Sequence, residues 1–147
     1  MKKLCFLLAA LIIAAAFCSC AVDKEDRADI DAVTLLKAVL ARDTEKLDSL
    51  THPDMKSAVV YGDGFYESLS ELGVTVGKPL DGVTAVSKRV SSDEDLGGKV
   101  YVCEYVALID QMPYSVTVMF LDSDSGFGVA GANFDFCTDA KYYYSEE

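Results

Sequence analysis

Apolar positions recur every three or four residues in the first half of the chain and every two in the second half. The sequence therefore predicts helices first and strands afterwards. Ile30, Val33, Leu36, Val39 and Leu40 share one helical face, which predicts a helix over 27–41, with Asp29 and Asp31 near its start, where the helix dipole favours negative charge. Asp43 can cap a second, short helix over 44–50 that buries Leu47 and Leu50. His52 ends it, because the residue before Pro53 is pushed out of the helical region. The apolar stretch 55–61 predicts a short strand, broken by Gly62-Asp63-Gly64. A third helix follows, with Phe65, Leu69 and Leu72 on one face and Gly73 as its stop, and 74–81 is a connector containing Pro79. From Gly82 onward the period is two. Strands are predicted over 83–90, 99–109, 114–121 and 127–136, with turn-rich links at 93–98, 110–113 and 122–126. Such short links make successive strands antiparallel neighbours. The fold class expected is α+β: N-terminal helices packed on a curved antiparallel sheet of about four long strands, spanning 29–136, with a loosely held tail at 137–147.

The 147 residues suffice for one such domain. Ahead of it lie Lys2-Lys3 and an uninterrupted apolar run of 14 residues from Leu4 to Phe17. A spanning helix needs about 20, so the run reads as the apolar part of a secretory signal. Phe17-Cys18-Ser19-Cys20, followed by Asp23, Lys24, Glu25, Asp26 and Arg27, resembles a bacterial lipoprotein signal. Ser19 and Cys20 fit that motif. Phe17 stands where Leu is usual, and Cys18 is small but unusual. The resemblance implies a signal peptide over 1–20, lipid attached to Cys20, a charged tether over 21–28, and a protein exported to the outer face of a bacterial cell membrane. The alternative is ordinary secretion with cleavage after Ala21.

Charge sharpens this picture. The whole chain carries −11; without Lys2 and Lys3, 11 Lys and Arg remain against 24 acidic residues, a net of −13. Such a surface has no basic face for nucleic acid. It is also repelled by anionic lipid, so membrane attachment must come from acyl chains.

The order of elements resembles that of the nuclear-transport-factor-2-like group, also called the cystatin-like cone. The local likeness runs from Leu35-Leu36-Lys37-Ala38 through Ala41-Arg42-Asp43-Thr44-Glu45-Lys46-Leu47 to His52-Pro53. It implies the same helices-on-sheet cone over about 28–136 and kinship with small exported lipoproteins that lack an assigned function. That fold hosts isomerases and dehydratases as well as proteins without chemistry, and it often pairs through the open sheet face.

Catalytic groups are sparse. His52, the single histidine, sits at a helix end before Pro53, a structural position, and no Ser or Cys lies in a nucleophile motif. Glu104 interrupts the apolar face formed by Val100, Val102, Val106 and Leu108. It is either enclosed in a cavity, where desolvation would make it a proton acceptor, or part-exposed and paired with a basic side chain. Asn133 and Asp135 alternate along the last strand and, with Glu104, are the candidate pocket residues. Asp122-Ser123-Asp124-Ser125-Gly126 begins like a calcium loop but has Phe127 and Asn133 where Gly and Glu are needed, so it reads as a hairpin turn. Tyr142-Tyr143-Tyr144 offers stacking surface for a sugar or partner, or is simply a chain end. Cys103 and Cys137 either pair or are small buried hydrophobes; a simple meander places them two strands apart, about 10 Å, too far for a disulfide. No metal and no cofactor is expected. The reading is a non-enzymatic, lipid-anchored envelope domain that binds a partner protein, a second copy or a small ligand. Its alternative is an isomerase- or dehydratase-type enzyme using a carboxylate inside the cone.

Overall fold

The computed structural model describes residues 23–139 and 141. The signal, Cys20 and Tyr142–Tyr144 lie outside the described residues. Helix α1, Lys24–Ala41, opens on Asp23, whose carboxylate accepts the Glu25 N–H, and closes on Arg42 at φ 53°. It starts three residues before the expected position, so Lys24 to Ala28, read as tether, are already helical. Helix α2, Thr44–Leu50, begins as expected with the Asp43 carboxylate accepting the Lys46 N–H at 3.0 Å.

No strand forms over 55–61. Pro53 starts a single 3-10 turn, Pro53–Met55, and the N–H groups of Ala58 and Val59 both bond back to the Met55 carbonyl. Those two N–H groups are thereby taken out of any sheet ladder. Helix α3, Asp63–Glu71, stops where Gly73 takes φ 83° and Val74 N–H bonds to Leu69 O.

Four strands follow: β1 Leu80–Asp93, β2 Gly98–Ile109, β3 Met112–Ser123 and β4 Gly126–Phe136. They form one sheet in chain order, each pair antiparallel. The arrangement is α+β with the helices N-terminal to the sheet, as the change of hydrophobic period predicts. The strands are longer than that pattern suggests, because the β2–β3 link is a two-residue turn, Asp110-Gln111, with φ 51° and 66°. Positive φ at both central residues matches the right-handed twist of the flanking strands. Bulges at Ala85/Ser87 and Met119/Phe120 interrupt the outer ladders.

Alternation along β2 and β3 sends Tyr101, Cys103, Tyr105, Ala107, Tyr114, Val116, Val118 and Phe120 to one face, where they meet Ala28, Ala32, Leu35, Leu36 and Val39 of α1. Large apolar side chains pack the helix–sheet interior; Tyr105, Phe120 and Leu35 are among its largest fully buried side chains. The opposite face carries a smaller cluster of Val100, Leu121 and Ala130, with Met55 packed against it.

The single histidine ties these parts together. His52 is fully buried, and its N–H bonds to Val129 O at 2.9 Å, beside the parallel bridge Thr51–Val129. Gly128 makes room for that contact. A Cβ on it would lie 2.8 Å from both Cα and N of His52.

Both hairpin tips, 94–97 and 124–125, lie at the same end of the sheet as the start of α1. Gly98 pairs with Ser123, and Lys24 Nζ reaches Asp122 Oδ1 at 2.8 Å. The Asp110-Gln111 turn and the end of β4 mark the other end, where Tyr114 pairs with Phe136.

Candidate functional site

Glu104, Asn133 and Asp135 all lie on the sheet face turned away from the helices. Antiparallel register sets Ser87, Glu104, Thr117 and Asn133 in one row across the four strands. Val106, Ser115 and Asp135 form the next row toward the β4 end. On the other side of the Glu104 row, Val102 opposes Met119, which is 41% exposed and has its methyl group against Gly131.

Glu104 sits in the second of the two situations the sequence allows. It is part-exposed, the Ser87 hydroxyl donates to Oε2 at 2.6 Å, and Arg89 Nη2 donates to Oε1 at 2.9 Å. Arg89 lies one row along β1, so the register that opposes Ser87 to Glu104 also brings the guanidinium within reach. Glu104 lines a recess of about 180 Å³ with Val86, Val106, Ser115 and Cys137. That is below the roughly 300–1,000 Å³ usual for small-molecule sites.

The recess has a wall that the sequence did not foretell. The described part of the tail, expected to be loose, packs over the corner of the sheet: Cys137 is 5% exposed, Thr138, Asp139 and Lys141 line the recess, and Lys141 Nζ pairs with Asp139 Oδ2 at 2.9 Å. Val106 beside it is 5% exposed, so the tail covers an apolar surface that the strand pattern alone leaves open. Asn133 and Asp135 are exposed on the same face but do not line the recess. Glu104 and Asn133 are two strands apart, about 10 Å. The candidates thus share a face without converging on one point. Cys103 and Cys137 are not joined, for a reason stronger than strand spacing: Cys103 belongs to the helix-side core, and Cys137 borders the recess on the other face.

A second polar group lies inside the helix–sheet interface, and the sequence pattern did not single it out. Asp29 of α1 accepts the Tyr105 hydroxyl at 2.9 Å and Lys88 Nζ at 2.6 Å. Lys88 pairs in the ladder with Cys103. The sequence marks Asp29 as a dipole-stabilising residue; its place between buried Ala28 and Ala32, at the edge of the inner face, brings its carboxylate to the Tyr105 hydroxyl. Desolvation pushes the Cys103 thiol upward, and burial with the Asp29 hydrogen bond pushes the Tyr105 hydroxyl far upward. Both groups are held neutral, the wrong direction for a nucleophile or a proton donor near neutral pH.

Ser123, His52 and Asp54 stand close together. Ser123 Oγ is 3.1 Å from His52 Nε2, and His52 Nδ1 is 3.8 Å from Asp54 Oδ2. The hydrogen bonds decide the tautomer. Nδ1 accepts the Asp54 backbone N–H at 3.2 Å, so Nε2 carries the proton and faces the Gly126 carbonyl at 3.1 Å. A ring nitrogen that already holds hydrogen cannot take one from Ser123, and Asp54 receives no ring N–H as a triad carboxylate would. The group fastens the β3–β4 hairpin to the chain after α2.

Among the described residues, no three His, Cys, Asp or Glu side chains are grouped to hold a metal ion, and no helix is long and apolar enough to cross a membrane. Searches for a matching family model, a curated relative or a similar solved structure found none for this chain.

Proposed function

We propose that this chain is an exported, lipid-anchored envelope domain that acts by binding, with the open sheet face as its contact surface. The observation that carries the reading is the state of Glu104. Its carboxylate is closed by Arg89 and Ser87 beside a recess too small for an ordinary metabolite. A general base in a desolvated cavity needs the opposite: apolar walls, room for substrate and no counter-charge. The helix–sheet interior, packed with large apolar side chains and with Tyr105 and Cys103 held neutral, supports the same reading over the isomerase- or dehydratase-type alternative.

A recess of that size accepts one side chain of a partner protein. Around it lies a band suited to contact. Val102 and Met119 supply apolar surface, and Thr117 and Asn133 supply hydrogen-bonding groups. The Glu104–Arg89 and Asp139–Lys141 pairs offset charge in this band on a strongly acidic chain, and exposed Asp135 adds a carboxylate in the next row. Anchoring at Cys20 follows from the lipoprotein-like Ser19-Cys20 and the charged residues after it. The order of three helices and a four-stranded meander is also that of the nuclear-transport-factor-2-like group.

A photoreactive amino acid at Met119, compared with one at exposed Glu67 on α3, tests the contact surface in intact cells. The expected result is a discrete adduct from position 119 and none from 67. A band at twice the chain mass identifies a second copy as the partner, and another discrete mass a different protein. No adduct from 119, or equal labelling at both sites, contradicts the reading.

A further inference from the structure

The place where the chain enters the domain fixes how the anchored domain stands. We infer that the hairpin-tip end is the membrane-facing end, held against a lipid headgroup layer, and that the recess and the Asp110-Gln111 turn project away from it. The inference rests on the proposed lipid at Cys20.

Lys24 is four positions beyond Cys20, a reach of at most about 14 Å. Lys24 is not free to swing. Its ammonium pairs with Asp122 at 2.8 Å and lies 5.3 Å from the centre of the Phe127 ring, so the start of α1 is fastened to the β3–β4 hairpin. Arg27 lies over the same ring at 5.3 Å. The first residue that the lipid can hold close is therefore already part of the tip end. β2 has 12 residues from that end to the opposite turn, a length of about 40 Å at roughly 3.4 Å per residue. The tether is much shorter than the domain, so an upright domain keeps the far end well outside the headgroups.

The tip end has a definite chemistry. A hollow between the two hairpins is lined by Asp93, Glu94, Asp122 and Asp124, with Lys99 as its one basic side chain. Juxtamembrane segments that bind anionic lipid are basic; this surface has the opposite sign. It fits a zwitterionic headgroup layer, and anionic lipid pushes it outward to the limit of the tether. Upright standing also explains how the open face can meet a partner. The face then runs along the membrane normal, with its recess toward the far end, instead of lying against lipid.

The test uses the full lipidated protein in phosphatidylcholine vesicles with an acceptor dye on the headgroups. One donor dye is placed through Glu94→Cys at the tip and another through Met112→Cys at the far end; both positions are exposed, while Cys103 and Cys137 are buried. Energy transfer is expected to be several-fold greater from position 94 than from position 112, and to fall at 94 when phosphatidylglycerol is added. Equal transfer from the two positions, or more from 112, overturns the orientation while the anchor stands. Protein that does not float with the vesicles, or that has the same mass as a form lacking acyl chains, overturns the anchor and the orientation with it.

Discussion

Gly128→Ala is expected to lower the stability of the domain by about 3 kcal/mol, a fall in Tm of roughly 10 °C. The added methyl group would meet His52 Cα and N at 2.8 Å and Leu50 O at 2.9 Å, all backbone atoms without a rotamer to turn away. Relief requires the chain after α2 to move off β4. That movement strains the His52 N–H to Val129 O bond and exposes an imidazole whose two nitrogens are both engaged. Gly64→Ala is the matched control. It lies inside α3, nothing stands within 4 Å of the new Cβ, and the helix gains about 1 kcal/mol from losing a glycine. Thermal unfolding of the two variants should move Tm in opposite directions. A Gly128→Ala protein as stable as the parent would show that the link between His52 and β4 is not tight.

Alkali is expected to unfold the domain between about pH 10 and 12. Burial pushes Tyr61 up to about 12, with nearby Thr51 offsetting part of the effect. Burial also raises Tyr66 and Tyr101, and Tyr105 is raised further by its bond to Asp29. The hydroxyls of Tyr61 and Tyr66 are buried with no geometric hydrogen-bond partner among the described residues, so desolvation of the ionised forms outweighs the help that Thr51 gives Tyr61 and Arg42 gives Tyr66. Each of these groups has a folded value above its unfolded value near 10. Its contribution is therefore complete below pH 10, where both states hold the proton. It is lost as the pH rises, because the unfolded chain releases protons first. Two units at Tyr61 correspond to about 2–3 kcal/mol, a large part of the 5–15 kcal/mol typical of a domain. Lys88, raised by its hydrogen bond to Asp29, acts in the same direction. The part of the tyrosinate absorbance that belongs to Tyr61, Tyr66, Tyr101 and Tyr105 should appear together with the change in circular dichroism. Tyrosine ionisation completed while the circular dichroism stays native would contradict the burial of these side chains.

What was legible in the sequence was whatever depends on neighbours a few residues apart. The helical period of α1, the Asp43 cap and the alternation of β2 and β3 are local patterns, and each predicts its element; the face of α1 is nevertheless shifted, because Ala28, Ala32 and Leu35 are buried while Ile30, expected on the inner face, is 60% exposed. Region 55–61 and the burial of Cys137 escape the sequence because apolar or polar character alone does not say what lies opposite. Val59 and Val60 resemble a strand, yet turn bonds to Met55 consume the backbone. Cys137 resembles the start of a loose tail, yet it is 5% exposed beside the buried Val106. The site shows the same division. Alternation singles out Glu104 within β2 and Asn133 within β4, and only the pairing of the strands sets them in one row on one face. The proximity of Arg89 to Glu104 and of Asp29 to Tyr105 arises between elements, where spacing along the chain carries no information.

The central claim is that the open sheet face is covered by a partner in the envelope. Hydroxyl-radical oxidation of methionines reads this directly, because Met119 lies in that face at 41% exposure and Met112 lies at the far turn at 50%. The account predicts that both are oxidised in the purified domain, and that in intact envelopes Met119 becomes protected several-fold while Met112 stays reactive. Equal oxidation of Met119 in the two preparations would contradict it.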